Sequence, residues 1–167
     1  MIHKGKLTIV LTGLAALGVV LTSQAAPRPV NPRPAASSGP RLVPVAQTRL
    51  LMEGLALANF RGLEKLLRDK PEDDEAWGFA RGQALLIAET GNLLMLRPPR
   101  NPGEKPWLER AGDLRTAASQ LAEALAAHDF DKSRKALAHM ATRCNACHQT
   151  FRVKTRIVPF EKTDEEK

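Results

Sequence analysis

Between Gln47 and Ile157, apolar residues recur every three or four positions in four long stretches, each ended by proline or a short polar turn. That period belongs to amphipathic helices, not to the two-residue alternation of a strand. On a wheel of about 100° per residue, the first stretch (47–69) aligns Met52, Leu55, Asn59, Leu63 and Leu66 opposite Arg61, Glu64, Lys65 and Arg68. Pro71 closes it. Glu72-Asp73-Asp74-Glu75 opens the second (72–96), where acidic residues favour a helix N-terminus. Its inner face is Trp77, Ala80, Ala84, Ile87, Ala88, Gly91 and Met95, mostly small side chains that leave room for something bulky. The proline-rich interval 97–106 reads as a helix-incompatible crossover. A third stretch (107–127) aligns Trp107, Ala111, Leu114, Ala118, Leu121 and Leu125. His128-Asp129-Phe130 then turns into a fourth (131–157), with Asp131 as the expected N-cap. The expected fold class is all-α, an antiparallel four-helix bundle. Aromatics are only 4% of the chain, so an Ala-rich core of this kind is underfilled unless a ligand supplies volume.

The segments before Gln47 are of another kind. Residues 1–25 read as a signal peptide: Lys4 and Lys6, an uncharged apolar run from Leu7 to Leu21, then small residues at Ser23 and Ala25. An uncleaved membrane anchor is the competing reading, but the run is short of the roughly 20 residues that span a bilayer. The expectation is export, to a bacterial periplasm. Residues 26–46 hold Pro27, Pro29, Pro32, Pro34, Pro40 and Pro44 and read as an extended linker. The domain itself is expected over 47–158, with a polar tail over 159–167. The formal charge of +7 is carried largely by Lys4, Lys6, Arg28, Arg33 and Arg41, because no acidic residue precedes Glu53. No basic run or aromatic ladder remains in the helical part, which excludes a nucleic-acid binder.

The chemistry is concentrated in Cys144-Asn145-Ala146-Cys147-His148. C-x-x-C-H is the attachment signature of c-type haem. On a helix, spacings of three and four put Cys144, Cys147 and His148 on one face with Leu137, Met140, Ala141 and Phe151. Two thiols can then form thioethers with the haem vinyl groups while the imidazole meets the iron. A thioredoxin-like pair would follow a strand, and none precedes Cys144. Zinc would need a second ligand cluster, which the chain lacks. The cofactor expected is one covalently attached haem c with its iron, carried on the C-terminal helix.

A C-x-x-C-H on the last helix of such a bundle resembles the class II c-type cytochromes, the cytochrome c-prime family. The resemblance covers roughly 47–157 and includes Arg49, Phe60, the Asp129-Phe130-Asp131 turn and Cys144 through Arg152. It implies that Arg152, four residues after His148, lies beside the proximal haem face. It also implies that function turns on the residue opposite the iron. A methionine there makes a low-spin electron carrier, and an apolar residue leaves the iron open to nitric oxide or carbon monoxide. Met52, on the apolar face of the first helix, is the candidate sixth ligand. Gapless alignment on Arg49 and Phe60 instead puts Glu53 at that place. Met140 and His139 are on the wrong helix, and His128 and Met95 are at helix ends. Arg81 is a candidate partner for a haem propionate. His3 is lost with the signal peptide.

The expected function is that of an exported mono-haem electron carrier, not an enzyme, working between redox partner proteins. The alternative is a five-coordinate gas-binding protein. A peroxidase would need a distal acid–base group, and Glu53 is its one candidate. The resemblance also implies a homodimer built through the first two helices.

Overall fold

The computed structural model describes residues 42–100 and 103–160, within the compact unit Arg41–Lys167. The signal segment, most of the linker and the end of the tail lie outside the described residues. Among the described residues the secondary structure is entirely helical, and no helix is long and apolar enough to cross a membrane. The helices are α1 (Thr48–Leu51), a π-helical segment (Met52–Leu57), α2 (Ala58–Leu66), α3 (Asp74–Met95), α4 (Glu104–Ala126) and α5 (Phe130–Thr150).

α1, the π segment and α2 form one continuous rod, because the joining residues Leu51, Met52, Leu57 and Ala58 all keep right-handed helical angles. The wider π turn corrects the stripe expected for this rod. The side chains that reach the core are Leu51, Ala56, Phe60, Leu63 and Leu67, with a spacing of five where the π turn sits. A constant 100° advance had chosen Leu55, Asn59 and Leu66 instead, and these are only partly buried.

The other helices follow their patterns closely, with corrected ends. α3 starts one residue after Asp73, whose carboxylate accepts the Ala76 N–H at 2.8 Å. It buries Trp77, Ala80, Ala84, Ile87, Ala88, Thr90, Gly91 and Leu94. α4 begins at Glu104, inside the interval expected to be non-helical. Pro106 is tolerated there because it stands in the first turn, where N–H groups have no helical acceptor. The cap of α5 is Asp129, not Asp131: its carboxylate accepts the Lys132 N–H at 2.9 Å. α5 also ends at Thr150, seven residues before the expected boundary at 157.

α3 packs on α4, α4 on α5, and the first rod on α3. α3 and α4 come very close at Gly91, where an added Cβ would stand 2.8 Å from the Ala111 carbonyl oxygen. At the other end of the rod, Arg134 of α5 donates to the carbonyls of Leu67 and Arg68 and lies 3.9 Å over the Phe160 ring. These contacts leave a space between the first rod and the C-terminal half of α5, and the site lies in it.

Candidate functional site

A cavity of about 490 Å³ opens there, within the roughly 300–1,000 Å³ range of pockets that enclose a sizeable organic ligand. One wall is the first rod, with Thr48, Met52, Ala56 and Phe60 in one row and Arg49, Glu53 and Leu57 in the next. α3 contributes Ile87 and Leu94, and α4 contributes Trp107, Arg110 and Leu114. α5 contributes Arg143, Cys144, Cys147 and His148, and the chain beyond it adds Phe151, Val153, Thr155 and Ile157. Cys144, Cys147, His148 and Met52 are therefore brought together around a mostly apolar space.

Two of these walls are fixed by hydrogen bonds and ring packing. Trp107 Nε1–H donates to the Leu94 carbonyl at 2.6 Å, and the Trp107 and Phe151 rings meet edge to face at 5.0 Å. The π turn explains the rivalry between Met52 and Glu53, since both line the cavity. They differ in engagement: Met52 is half-buried, whereas Glu53 is 54% exposed and pairs with Arg49 at 3.8 Å.

His148 is oriented through its other ring nitrogen. Its Nδ1 lies 2.6 Å from the Thr155 carbonyl oxygen. A carbonyl can only accept, so Nδ1 carries the proton and Nε2 keeps the free lone pair. That is the tautomer an iron ligand needs, with a carbonyl partner that raises its basicity. Thr155 is held in place by its neighbour Ile157, whose N–H and carbonyl bond the Asn145 side chain at 2.8 and 2.7 Å.

Burial raises both thiols, Cys144 from 9.0 to about 12 and Cys147 upward as well. Cys147 adds a further upward push at Cys144, against a lowering backbone hydrogen bond. At Cys147, Arg110 opposes the rise and Asp113 adds to it. Folded, these are neutral, free thiols held in an apolar wall. The donor set suits a haem bound through two thioethers and one imidazole. Among the described residues no three His, Cys, Asp or Glu side chains are grouped to hold a metal ion by themselves.

Arg152 stands just past the end of α5. It is exposed, lies outside the cavity lining, and takes a left-handed backbone with φ 56°. Its N–H bonds the Gln149 carbonyl at 3.3 Å while the Val153 N–H bonds that of His148 at 2.8 Å. This is the Schellman end of α5, with arginine where glycine is usual. It reverses the chain, so that residues 153–157 pass beneath His148. Arg81 is likewise exposed and away from the cavity, whose arginines are Arg49, Arg110 and Arg143. The role of Asn145 and of the 153–157 strap is not legible from spacing, because only the reversal at Arg152 brings the strap to the motif, and Arg110 and Arg143 meet at the cavity from separate helices.

No curated protein and no solved structure matches the chain. A family model described as Cytochrome C' matches residues 105–152, a span holding nearly all of α4, all of α5 and the cysteine–histidine motif. Over that segment the chain is similar to the cytochrome c' family, the class II c-type cytochromes, which hold haem c and its iron by covalent attachment.

Proposed function

We propose that the protein is an exported mono-haem cytochrome that carries single electrons between larger redox proteins and is not a catalyst. The observation that carries this reading is one apolar cavity faced by Cys144, Cys147 and His148 on α5 and by Met52 on the opposite rod. An antiparallel bundle with haem on its last helix suits the α3–α4 pairings. Trp107 meets Leu94 and Ala111 meets Gly91, so position rises on α4 as it falls on α3.

Haem bound here supplies a one-electron Fe(III)/Fe(II) couple. The chain's part is placement. Cys144 and Cys147 tether the group, His148 offers Nε2, and Met52 offers a thioether from the far wall. Arg49, Arg110 and Arg143 line the cavity and suit the haem carboxylates. The apolar walls of Ile87, Leu94, Leu114 and Phe60 exclude water, which steadies both oxidation states against side reactions. No proton transfer is required, and Glu53 is engaged by Arg49.

A gas-binding protein is the second reading. It is favoured by Ala56, Leu57 and Phe60, which add apolar surface beside Met52 on the same wall. Export rests on the 1–25 segment, and the periplasm is the compartment that suits it. The exposed Phe79, Leu85 and Leu86 of α3 suit the homodimer that the resemblance implies. The visible spectrum of the ferrous protein tests the ligand assignment. Sharp α and β bands unmoved by carbon monoxide support Met52 ligation. A broad high-spin spectrum that shifts with the gas replaces the electron carrier by the gas binder.

A further inference from the structure

Haem attachment requires the two cysteines and the histidine of the motif, and leaves the residues between them free. Asn145 is one of those free positions, yet both the nitrogen and the oxygen of its side-chain amide are engaged. Its Nδ2 donates to the Ile157 carbonyl at 2.7 Å, and its Oδ1 accepts the Ile157 N–H at 2.8 Å. An amide that binds both backbone groups of one distant residue fixes that residue in position and orientation, as a ladder partner does in a sheet.

What it fixes is the far end of a short strap. The near end is set at Val153 by the reversal at Arg152. Midway between these anchors stands Thr155, whose carbonyl receives the His148 ring at 2.6 Å. Without the Ile157 anchor, the strap from 154 to 157 keeps no hydrogen bond to α5 except that one. The next tie is the Phe160 N–H to the Glu64 carboxylate, on another helix.

We propose that Asn145 is a positioning residue for the proximal imidazole: it holds the strap so that the Thr155 carbonyl keeps its hydrogen bond to His148 Nδ1–H. This rests on the reading of His148 as the iron ligand. The bond fixes the ring plane and makes Nε2 a stronger donor, which favours the ferric state. Losing it raises the midpoint potential and frees the ring N–H to exchange with solvent.

The test uses ferrous holoprotein, with carbon monoxide added if the sixth position is open, so that the iron is low-spin. Exchange of the His148 Nδ1 proton is followed by NMR, and the midpoint potential is measured on the same preparations without carbon monoxide. Asn145→Ala is expected to speed exchange at least tenfold and to raise the potential, a tenfold change in the ferrous-to-ferric ratio corresponding to about 59 mV. Asn145→Asp keeps an acceptor for the Ile157 N–H and loses the donor, so its exchange falls between wild type and Asn145→Ala, while its added carboxylate charge lowers the potential. It also carries the test if the alanine variant takes up no haem. Glu64→Ala cuts the next tie and leaves both readouts unchanged. Wild-type exchange in both Asn145 variants, or a wild-type potential in Asn145→Ala, overturns the proposal, as does an equal effect from Glu64→Ala. A wild-type His148 ring without haem-shifted resonances overturns the ligand assignment itself, and the role of Asn145 with it.

Discussion

Two glycines on α3 test the packing that builds the cavity. Gly78 is exposed, and a Cβ added there meets nothing within 4 Å. Gly91 is buried, and its added Cβ would stand 2.8 Å from the Ala111 carbonyl oxygen, 2.9 Å from Arg115 Cβ and 3.0 Å from Arg115 N. Two of those atoms are backbone, so α4 must move as a body to relieve the clash. Both positions are helical, so Gly→Ala gains up to about 1 kcal/mol from backbone entropy in either case. At Gly78 that gain stands alone, and the variant is more stable by about 0.5–1 kcal/mol. At Gly91 overpacking costs about 1–3 kcal/mol and offsets or exceeds the gain, leaving the variant about 0–2 kcal/mol less stable. The two variants therefore differ by about 1–3 kcal/mol, for one methyl group on one helix. Urea unfolding of the holoproteins, followed by far-ultraviolet circular dichroism, reads this as opposite displacements of the midpoint at constant slope. Equal stabilisation of both variants would refute the close approach of α3 and α4, and with it the placing of Leu94 against Trp107 in the cavity wall.

Other consequences are accessible to simpler assays. Asp129→Ala removes the cap of α5 and costs about 1 kcal/mol in the same unfolding experiment, whereas Asp131→Ala, two residues further on, costs distinctly less. Arg152→Gly relieves a left-handed arginine and raises stability by up to about 1 kcal/mol with an unchanged haem spectrum; an altered spectrum would restore Arg152 to the haem face. In haem-free protein the folded state holds Cys144 as a thiol up to about 12, against 9.0 in the unfolded chain. Its contribution is therefore complete below pH 9 and is lost as pH rises towards 12. Unfolding midpoints should fall across that window in haem-free protein and fall less in Cys144→Ser, where Cys147 is the one raised thiol left.

Much of this architecture is legible in the residue pattern, and what is not has local causes. Trp77, Ala80, Ala84, Ile87 and Ala88 bury as a plain 3.6-residue helix requires, and the same holds for Ala111 through Leu125. The first rod escapes because its register changes at the π segment. Met52-Glu53-Gly54-Leu55-Ala56-Leu57 has nothing in its composition to announce a wider turn. The motif face of α5 follows from spacing alone, since Cys144, Cys147 and His148 are local to one helix. The proximal support does not, because Asn145 and Ile157 are twelve residues apart and meet only through the reversal at Arg152. Arginine is a poor advertisement for a left-handed helix end, where glycine would have marked the stop. The cavity arginines come from three separate helices, and no single-helix wheel can assemble them.

The central claim is that Cys144 and Cys147 hold one haem while His148 faces its iron. The most direct measurement is the mass of the denatured, purified protein, compared with that of the Cys144→Ser/Cys147→Ser double variant. The account predicts a wild-type chain heavier by one haem, with no titratable thiol left, and a double variant with no covalent haem. A wild-type chain of polypeptide mass alone, or a double variant that still carries covalent haem, would contradict it.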